Sequence, residues 1–242
     1  MRVLAIGNSF SQDATRYLHN IARADGVKLD VANLYIGGCP LDKHYRNMLS
    51  GNAVYDLQYN GHSTGFMVSL EDALLNRAWD VVTLQQASYN SCKKETFDPY
   101  ILELADFVRQ CQPKAKVIIH QTWAYEDGSQ KLLEVAKYDT AANMFRDIKE
   151  AYDIAAKTID ADGIIPAGQL FMDLLSKGIP SVQRDTFHAS LGLGRYALGL
   201  LWYRMLTGKD VLENTFRDLD EETPEEQISL AKNCVNAFEP LF

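Results

Sequence analysis

The sequence predicts an α/β fold in which about five parallel strands alternate with helices. Two observations support this prediction. Short apolar, β-branched runs recur along the 242 residues, and the longer segments between them carry apolar residues at helical spacing. Strands that are apolar along their whole length are typical of parallel strands buried on both faces. The runs lie at 2–6, 29–36, 80–85, 115–120 and 162–166.

Between these runs, apolar residues recur at intervals of three and four, which predicts helices with one buried face. Near the C-terminal end, Thr223, Pro224 and Glu226 predict a helix start with an N-cap, a proline in the first turn and a capping-box glutamate. The earlier helical faces are formed by Ala14, Leu18 and Ile21, by Ile101, Leu104 and Val108, and by Ala141, Phe145, Ile148, Tyr152 and Ala155.

Residues 54–68 depart from this alternation. Asn60-Gly61 is a turn signal between two mildly alternating runs, so the segment predicts a small β-hairpin inserted before the next helix. No stretch rich in Pro, Gly and Ser suggests a linker, and 242 residues fit one large domain. We therefore expect a single domain over 1–242 that carries this hairpin.

Composition narrows the possible partners. The formal net charge of −8 argues against nucleic acid, and no apolar run approaches the ~20 residues of a membrane span. Because the first residues are already strand-like, no signal peptide is predicted and a cytoplasmic location is expected, unless a signal has been removed from an exported protein. The cysteines form no C-x-x-C pair, which predicts reduced thiols and neither a zinc site nor a redox pair. They are Cys39, Cys92, Cys111 and Cys234.

Polar residues and glycines follow the first four predicted strands. In doubly wound folds, ligands bind beyond the carboxyl ends of the strands, so these segments are expected to meet at one edge of the sheet. They comprise residues 7–9, 36–39, 84–90 and 120–125.

Ser9, in the run "GNSFS" after the first strand, is a candidate nucleophile. A serine hydroxyl needs an adjacent base, and His188 lies in "RDTFHAS" with Asp185 three residues before it. A single turn can return such a carboxylate to the imidazole Nδ1. Each residue also has a structural interpretation, since Ser9 or Ser11 could cap the first helix and Asp185 could cap the last one.

Taken together, these features resemble the SGNH (GDSL-like) hydrolase superfamily over about residues 1–205. The resemblance rests on "GNSFS" after strand one, a glycine after strand two, a polar amide after strand three and "DTFH" before the last helices. An ordinary α/β-hydrolase instead places its nucleophile in a mid-sequence G-x-S-x-G. The resemblance implies a three-layer αβα sandwich like that of flavodoxin. It also implies that Ser9 is the nucleophile, His188 the general base and then acid, and Asp185 the residue that orients the histidine.

The resemblance further implies an oxyanion hole made of the Ser9 amide, the Gly38 amide and a side-chain amide after strand three. The sequence there is "LQQASYN", which is similar to the Q-G-E-S-N run of the sialate O-acetylesterase branch. We expect Gln86 to be the third donor, with Asn90 as the second choice.

The function implied is that of a serine esterase that removes a small acyl group, in particular acetyl, from a carbohydrate through an acyl-serine. No metal or organic cofactor is expected, and the partner is a small acyl ester. Trp123 and Tyr125 are predicted to line the substrate site, although Trp123 could equally belong to the core. Cys39 beside Gly38 has no visible base and is not expected to be a nucleophile.

Three alternatives remain open from the sequence. One is a non-catalytic carbohydrate-binding protein on the same fold, and another is a lipase-like or thioesterase-like acyl hydrolase. The third, a nucleotide- or flavin-binding protein, is disfavoured because strand one is not followed by the glycine-rich dinucleotide-binding fingerprint and a P-loop lysine is missing.

Overall fold

A seven-stranded sheet forms the centre of the computed structural model, which describes residues 1–242. In sequence order its strands are β1 (Arg2–Gly7), β2 (Asp30–Tyr35), β3 (Tyr55–Tyr59), β4 (His62–Val68), β5 (Val81–Leu84), β6 (Lys116–His120) and β7 (Gly163–Ile165). They lie side by side in the order β4-β3-β2-β1-β5-β6-β7. Strands β2, β1, β5, β6 and β7 pair in parallel, which confirms the predicted α/β fold and produces the flavodoxin-like order.

Helices cover both faces of this sheet. None of them combines the length and the apolar character needed to cross a bilayer. They are α1 (Ser9–Thr15), α2 (Leu18–Ala24), α3 (Leu41–Ser50), α4 (Leu70–Leu75), α5 (Tyr100–Cys111), α6 (Ala141–Thr158), α7 (Ala167–Ser176), α8 (Leu193–Thr207) and α9 (Glu225–Asn236).

Strand β1 shows why the sheet is buried on both sides. Successive residues of a strand point to opposite faces. Val3 and Ala5 join a core of 36 buried residues that includes α1, α2, α7, α8 and α9. Leu4 and Ile6 join a second core of 30 buried residues with α3 to α6. The two cores produce the three-layer arrangement that the resemblance implied.

Two predicted helix features differ in the structure. The face of Ala14, Leu18 and Ile21 is divided between α1 and α2, because the backbone turns at Tyr17. The Tyr17 hydroxyl donates to the Leu191 carbonyl at 2.6 Å and accepts from a backbone amide at 2.7 Å, so the turn anchors a distant loop.

The start of α9 also differs from the prediction. The helix begins at Glu225, after Pro224, and it has no side-chain cap. The Thr223 hydroxyl instead donates to the Glu221 carbonyl at 3.4 Å. The predicted capping box is therefore wrong at this end.

The predicted hairpin is present as β3 and β4, and it extends the main sheet because β3 pairs antiparallel with β2. Asn60 and Gly61 both have positive φ, 51° and 88°, as a two-residue hairpin turn of type I′ requires. The Asn60 Oδ1 also accepts from the Val31 amide at 2.9 Å. The pairing of β3 with β4, at the edge of the sheet, shifts register between Asp56 and Gln58.

We expect Gly61→Ala to destabilise the protein more than Gly65→Ala, a matched change in the same hairpin. Both glycines have positive φ, so each alanine incurs a backbone cost of about 1–2 kcal/mol. Only at Gly61 would the new Cβ overlap the Arg16 carbonyl, which adds about 1–3 kcal/mol. Urea unfolding of both variants measures the difference, and equal losses would contradict the close packing of the turn on α1.

Candidate active site

Ser9 follows β1 as the first residue of α1, and its hydroxyl does not cap the helix. The N-cap of α1 is Asn8, whose Oδ1 accepts from the Phe10 amide at 3.0 Å. The Ser11 hydroxyl is occupied elsewhere, within 2.7 Å of Asn33 Oδ1. Neither serine caps the helix, so the structural interpretation of Ser9 does not hold.

Ser9, His188 and Asp185 lie in one hydrogen-bonded row. The Ser9 Oγ is 2.8 Å from the His188 Nε2, and the His188 Nδ1 is 2.7 Å from the Asp185 Oδ2. An ionised carboxylate can only accept, so the imidazole carries its proton on Nδ1 and presents a lone pair on Nε2. The hydroxyl of Ser9 therefore donates to the histidine.

The spacing D-x-x-H acts as a local turn. The second oxygen of Asp185 accepts from the His188 amide at 2.8 Å, and Thr186 between them has a φ of +71°. Burial alone would raise the pKa of the Asp185 carboxyl, but the hydrogen bonds from the His188 ring and amide lower it below its ordinary value. The residue is therefore a carboxylate at neutral pH and does not cap a helix.

A buried hydrogen-bond network of side-chain amides holds Asn8, the residue before Ser9, in place. The Gln85 Nε2 donates to Asn8 Oδ1 at 2.7 Å, and the His120 Nδ1 lies 3.0 Å from Gln85 Oε1. The Asn8 Nδ2 donates to the Cys39 carbonyl at 3.1 Å. Burial lowers the pKa of His120 to about 3, so its ring is neutral and serves as a donor to Gln85. This network fixes the ends of β1, β2, β5 and β6 relative to one another.

Gln86 is not placed where the sequence predicted. Its Oε1 accepts from the Leu41 amide at 3.0 Å and its Nε2 donates to the Thr96 carbonyl at 2.9 Å. The residue is fully buried and faces away from the cavity beside Ser9, because its amide joins the start of α3 to the segment before α5. Asn90, the second choice, does not line that cavity either.

A cavity of about 600 Å³ opens beside Ser9 and His188. Gly38 and Tyr125 line it too, and the Tyr125 hydroxyl lies 3.0 Å from Ser88 Oγ. The Ser9 and Gly38 amides donate to no other protein group. Ser9 is the first residue of α1, where backbone N–H groups have no partner inside the helix. The residues that line the cavity therefore include two with free backbone amides, Ser9 and Gly38, together with the Ser9 hydroxyl and the His188 imidazole.

Trp123 belongs to the core and does not line the cavity. Its ring stacks on Phe10 with 4.1 Å between centroids, and its Nε1 donates to the Phe187 carbonyl at 2.8 Å. Its role is to hold the backbone next to His188 in place. Cys39 is buried as well, and burial raises the pKa of its thiol to about 12, which leaves it protonated and unreactive at neutral pH.

The Asp13 carboxylate joins α1 to the loop of His188. It is fully buried, accepts from the Ala189 amide at 3.1 Å, and forms ion pairs with Arg184 at 3.1 Å and Arg195 at 2.8 Å. Arg195 also contacts Asp220, which forms a second ion pair with Arg16 at 2.6 Å. Asp13 is not predicted from the sequence, since nothing in "SFSQDAT" indicates that this acid is buried.

The strand order defines the class of the protein as one with the SGNH-hydrolase fold. It is similar to a candidate SGNH hydrolase from Slackia heliotrinireducens, with a TM-score of 0.61, 22% identity and coverage of 84% of this protein and 97% of the other. It is also similar to a candidate GDSL-like lipase from Parabacteroides merdae, with a TM-score of 0.57, 14% identity and coverage of 83% and 93%. These likenesses show the fold that the resemblance implied.

More particularly, the protein belongs to the family described as "Domain of unknown function (DUF4886)", which it matches over residues 2–237. A member of that family from Bacteroides uniformis has a similar structure. The TM-score is 0.90 at 30% identity, over 98% of this protein and 93% of the other. No curated protein matches this sequence.

We expect Asp13→Asn to reduce the free energy of unfolding by about 3–5 kcal/mol, because it leaves two arginines without their buried partner. Asp218→Asn is the control, since Asp218 is exposed and forms no ion pair. Urea unfolding followed by circular dichroism measures both losses. A loss no larger than that of the control would contradict the anchoring role of Asp13.

The second ion pair predicts a pH effect on stability. The hydrogen bond from Arg16 lowers the pKa of Asp220 to about 2, from an ordinary value of 3.8. Its stabilising contribution is therefore complete above about pH 4 and is lost as the pH falls towards 2. We expect Asp220→Asn to be less stable than the wild type at pH 7 and the gap to narrow below pH 4, as measured by urea unfolding across this range. A gap that does not change with pH would contradict this.

Proposed function

We propose that this protein is a serine esterase with Ser9 as nucleophile, His188 as general base and Asp185 as the residue that orients the histidine. One observation carries the proposal: the unbroken path of hydrogen bonds, 2.8 Å and 2.7 Å long, at the wall of the cavity. Such a path is the arrangement that an otherwise weak serine nucleophile needs.

The reaction follows from these contacts. His188 Nε2 takes the proton of Ser9 as Oγ attacks the carbonyl carbon of an ester. The tetrahedral intermediate then collapses, His188 returns the proton to the leaving alcohol, and an acyl-serine remains. Water attacks the acyl-serine with His188 again as base, which releases the acid and restores Ser9. Asp185 stays ionised and stabilises the imidazolium at each step.

The oxyanion of the intermediate is assigned to the Ser9 and Gly38 amides. Both are without a protein acceptor and both residues line the cavity. The loss of one oxyanion donor typically costs about 3–4 kcal/mol of transition-state stabilisation. The position of Gln86 supports an oxyanion hole that depends on backbone amides rather than on that residue's amide group.

The substrate we propose is a small acyl ester, an acetyl ester in particular, whose alcohol part is a carbohydrate. Three tyrosines line the cavity, Tyr35, Tyr89 and Tyr125, together with the polar residues Asn8 and Gln12. Aromatic rings with a hydroxyl group offer both a flat surface and a hydrogen bond to a sugar.

We expect Ser9→Ala and His188→Ala to lower kcat/KM for 4-nitrophenyl acetate by roughly four to six orders of magnitude, because each removes a member of a unit that acts together. Cys39→Ala is the matched control, since this buried thiol is no nucleophile, and it should retain most of the activity. Turnover that persists in both triad variants would rule out the assignment.

A fluorophosphonate probe distinguishes an esterase from a binding protein on the same fold. An activated serine forms a covalent adduct, so mass spectrometry should locate the label on Ser9 in the wild type and find none in Ser9→Ala. An unlabelled wild type that still binds sugars would favour the non-catalytic alternative. A preference for 4-nitrophenyl octanoate over the acetate would favour a lipase-like or thioesterase-like hydrolase.

A further inference from the structure

The charge of the cavity is opposite to that of the protein. The formal net charge of the protein is −8, yet no aspartate or glutamate is among the residues that line the cavity. Two cations do line it, Lys131 and Arg184. A neutral acetylated sugar carries no charge that would match these two cations.

Lys131 is the cation that is free to bind a ligand. It begins a short π-helical turn, Lys131–Ala136, and its Nζ lies 3.2 Å from the centroid of the Phe187 ring, next to His188 in the sequence. The ammonium forms no ion pair or hydrogen bond with another residue. Burial lowers the pKa of Lys131, which means that the ammonium has lost part of its contact with water. The Phe187 ring and the Tyr125 ring, whose centroid is 5.5 Å from Nζ, contact the ammonium but carry no negative charge.

The carboxylate that influences Lys131 is already engaged. Asp185 raises the pKa of Lys131 through its charge, but its two oxygens accept hydrogen bonds from the ring and the amide of His188. An ion pair between Lys131 and Asp185 would compete with the orientation of the histidine. A negatively charged group on the substrate would pair with Lys131 and leave the hydrogen bonds between Asp185 and His188 in place.

Arg184 offers a second, partly used donor group. Only its Nη1 is bound, to both oxygens of Asp13 at 3.1 Å and to the Ala189 carbonyl, so Nε and Nη2 have no protein partner. Its ion-paired group contains three guanidinium groups, those of Arg16, Arg184 and Arg195, and the two carboxylates of Asp13 and Asp220. One positive charge is therefore not balanced within the group.

We propose, on the basis of the esterase function proposed above, that the substrate is an ester that carries a carboxylate, held by Lys131 with Arg184 beside it. The carboxylate belongs either to the acyl part or to the alcohol part of the ester. The reaction at Ser9 is unchanged. Binding of the carboxylate determines which esters the site prefers. Charge-assisted hydrogen bonds of this kind are stronger than neutral ones and require a partner of opposite charge.

Two matched pairs of esters test the proposal and separate the two positions. For the acyl part, mono-4-nitrophenyl glutarate is compared with 4-nitrophenyl valerate. For the alcohol part, 4-acetoxybenzoate is compared with 4-acetoxybenzamide. The quantity measured is the ratio of kcat/KM for the anionic ester to that for its neutral match, and at least one ratio should exceed about tenfold in the wild type.

Variants of Lys131 test whether this residue binds the carboxylate of the ester. Lys131→Met removes the charge and keeps a side group of similar length, so it should lower the preferred ratio by about tenfold. Lys131→Arg keeps the charge and should retain most of the ratio. Lys114→Met is the matched control, because Lys114 is exposed in the loop before β6, at the opposite end of the sheet from the cavity. It removes the same charge and should leave the ratio as in the wild type.

Ratios near one for both pairs, or a ratio that Lys131→Met does not change, would overturn the inference while leaving the esterase intact. Absence of any ester hydrolysis together with an unlabelled Ser9 would instead refute the esterase. In that event, calorimetry with the uncleaved 4-acetamidobenzoate and its amide decides whether an anion is bound. Binding of the carboxylate alone, lost in Lys131→Met, would support anion recognition by Lys131, and equal or absent binding would overturn it.

Discussion

The buried carboxylate of Asp13 is the contact on which the site depends. Ser9 and His188 are 179 positions apart in the sequence, and their meeting requires that α1 and the loop before α8 keep a fixed distance. Asp13 holds that distance through the Ala189 amide and the two arginines. A carboxylate with no solvent contact must have all its partners in place, so the loop has little freedom to move away.

Two buried polar systems therefore hold the reacting groups from opposite sides. The first system, made of Asn8, Gln85 and His120, attaches the helix of Ser9 to the sheet. The second, centred on Asp13, attaches the loop of His188 to that same helix. The cavity lies between them, and its wall contains polar and charged residues that neither system uses fully. This division separates the residues that position the reaction from those that face the ligand.

The fold and the turn of Asp185 and His188 could be predicted because both depend on short-range patterns. Apolar runs identify parallel strands, strand ends meet at one edge, and the D-x-x-H spacing closes on itself. Gln86 could not be distinguished from Gln85, since neighbouring residues near a strand end point in opposite directions and only the three-dimensional structure shows which way each faces. Trp123 and Asp13 required knowledge of packing between segments far apart in sequence, which no local pattern contains.

The β-hairpin has a consequence for how the protein behaves towards other copies of itself. Strand β4 is the outermost strand on its side, and its first six residues are exposed. An open, regular edge of this kind can template pairing with a strand from another molecule. The register shift between Asp56 and Gln58, where β3 pairs with β4, interrupts the regular spacing of backbone donors and acceptors, and so opposes the addition of a further strand at β4. The same insertion that widens the sheet thus protects its new border against aggregation.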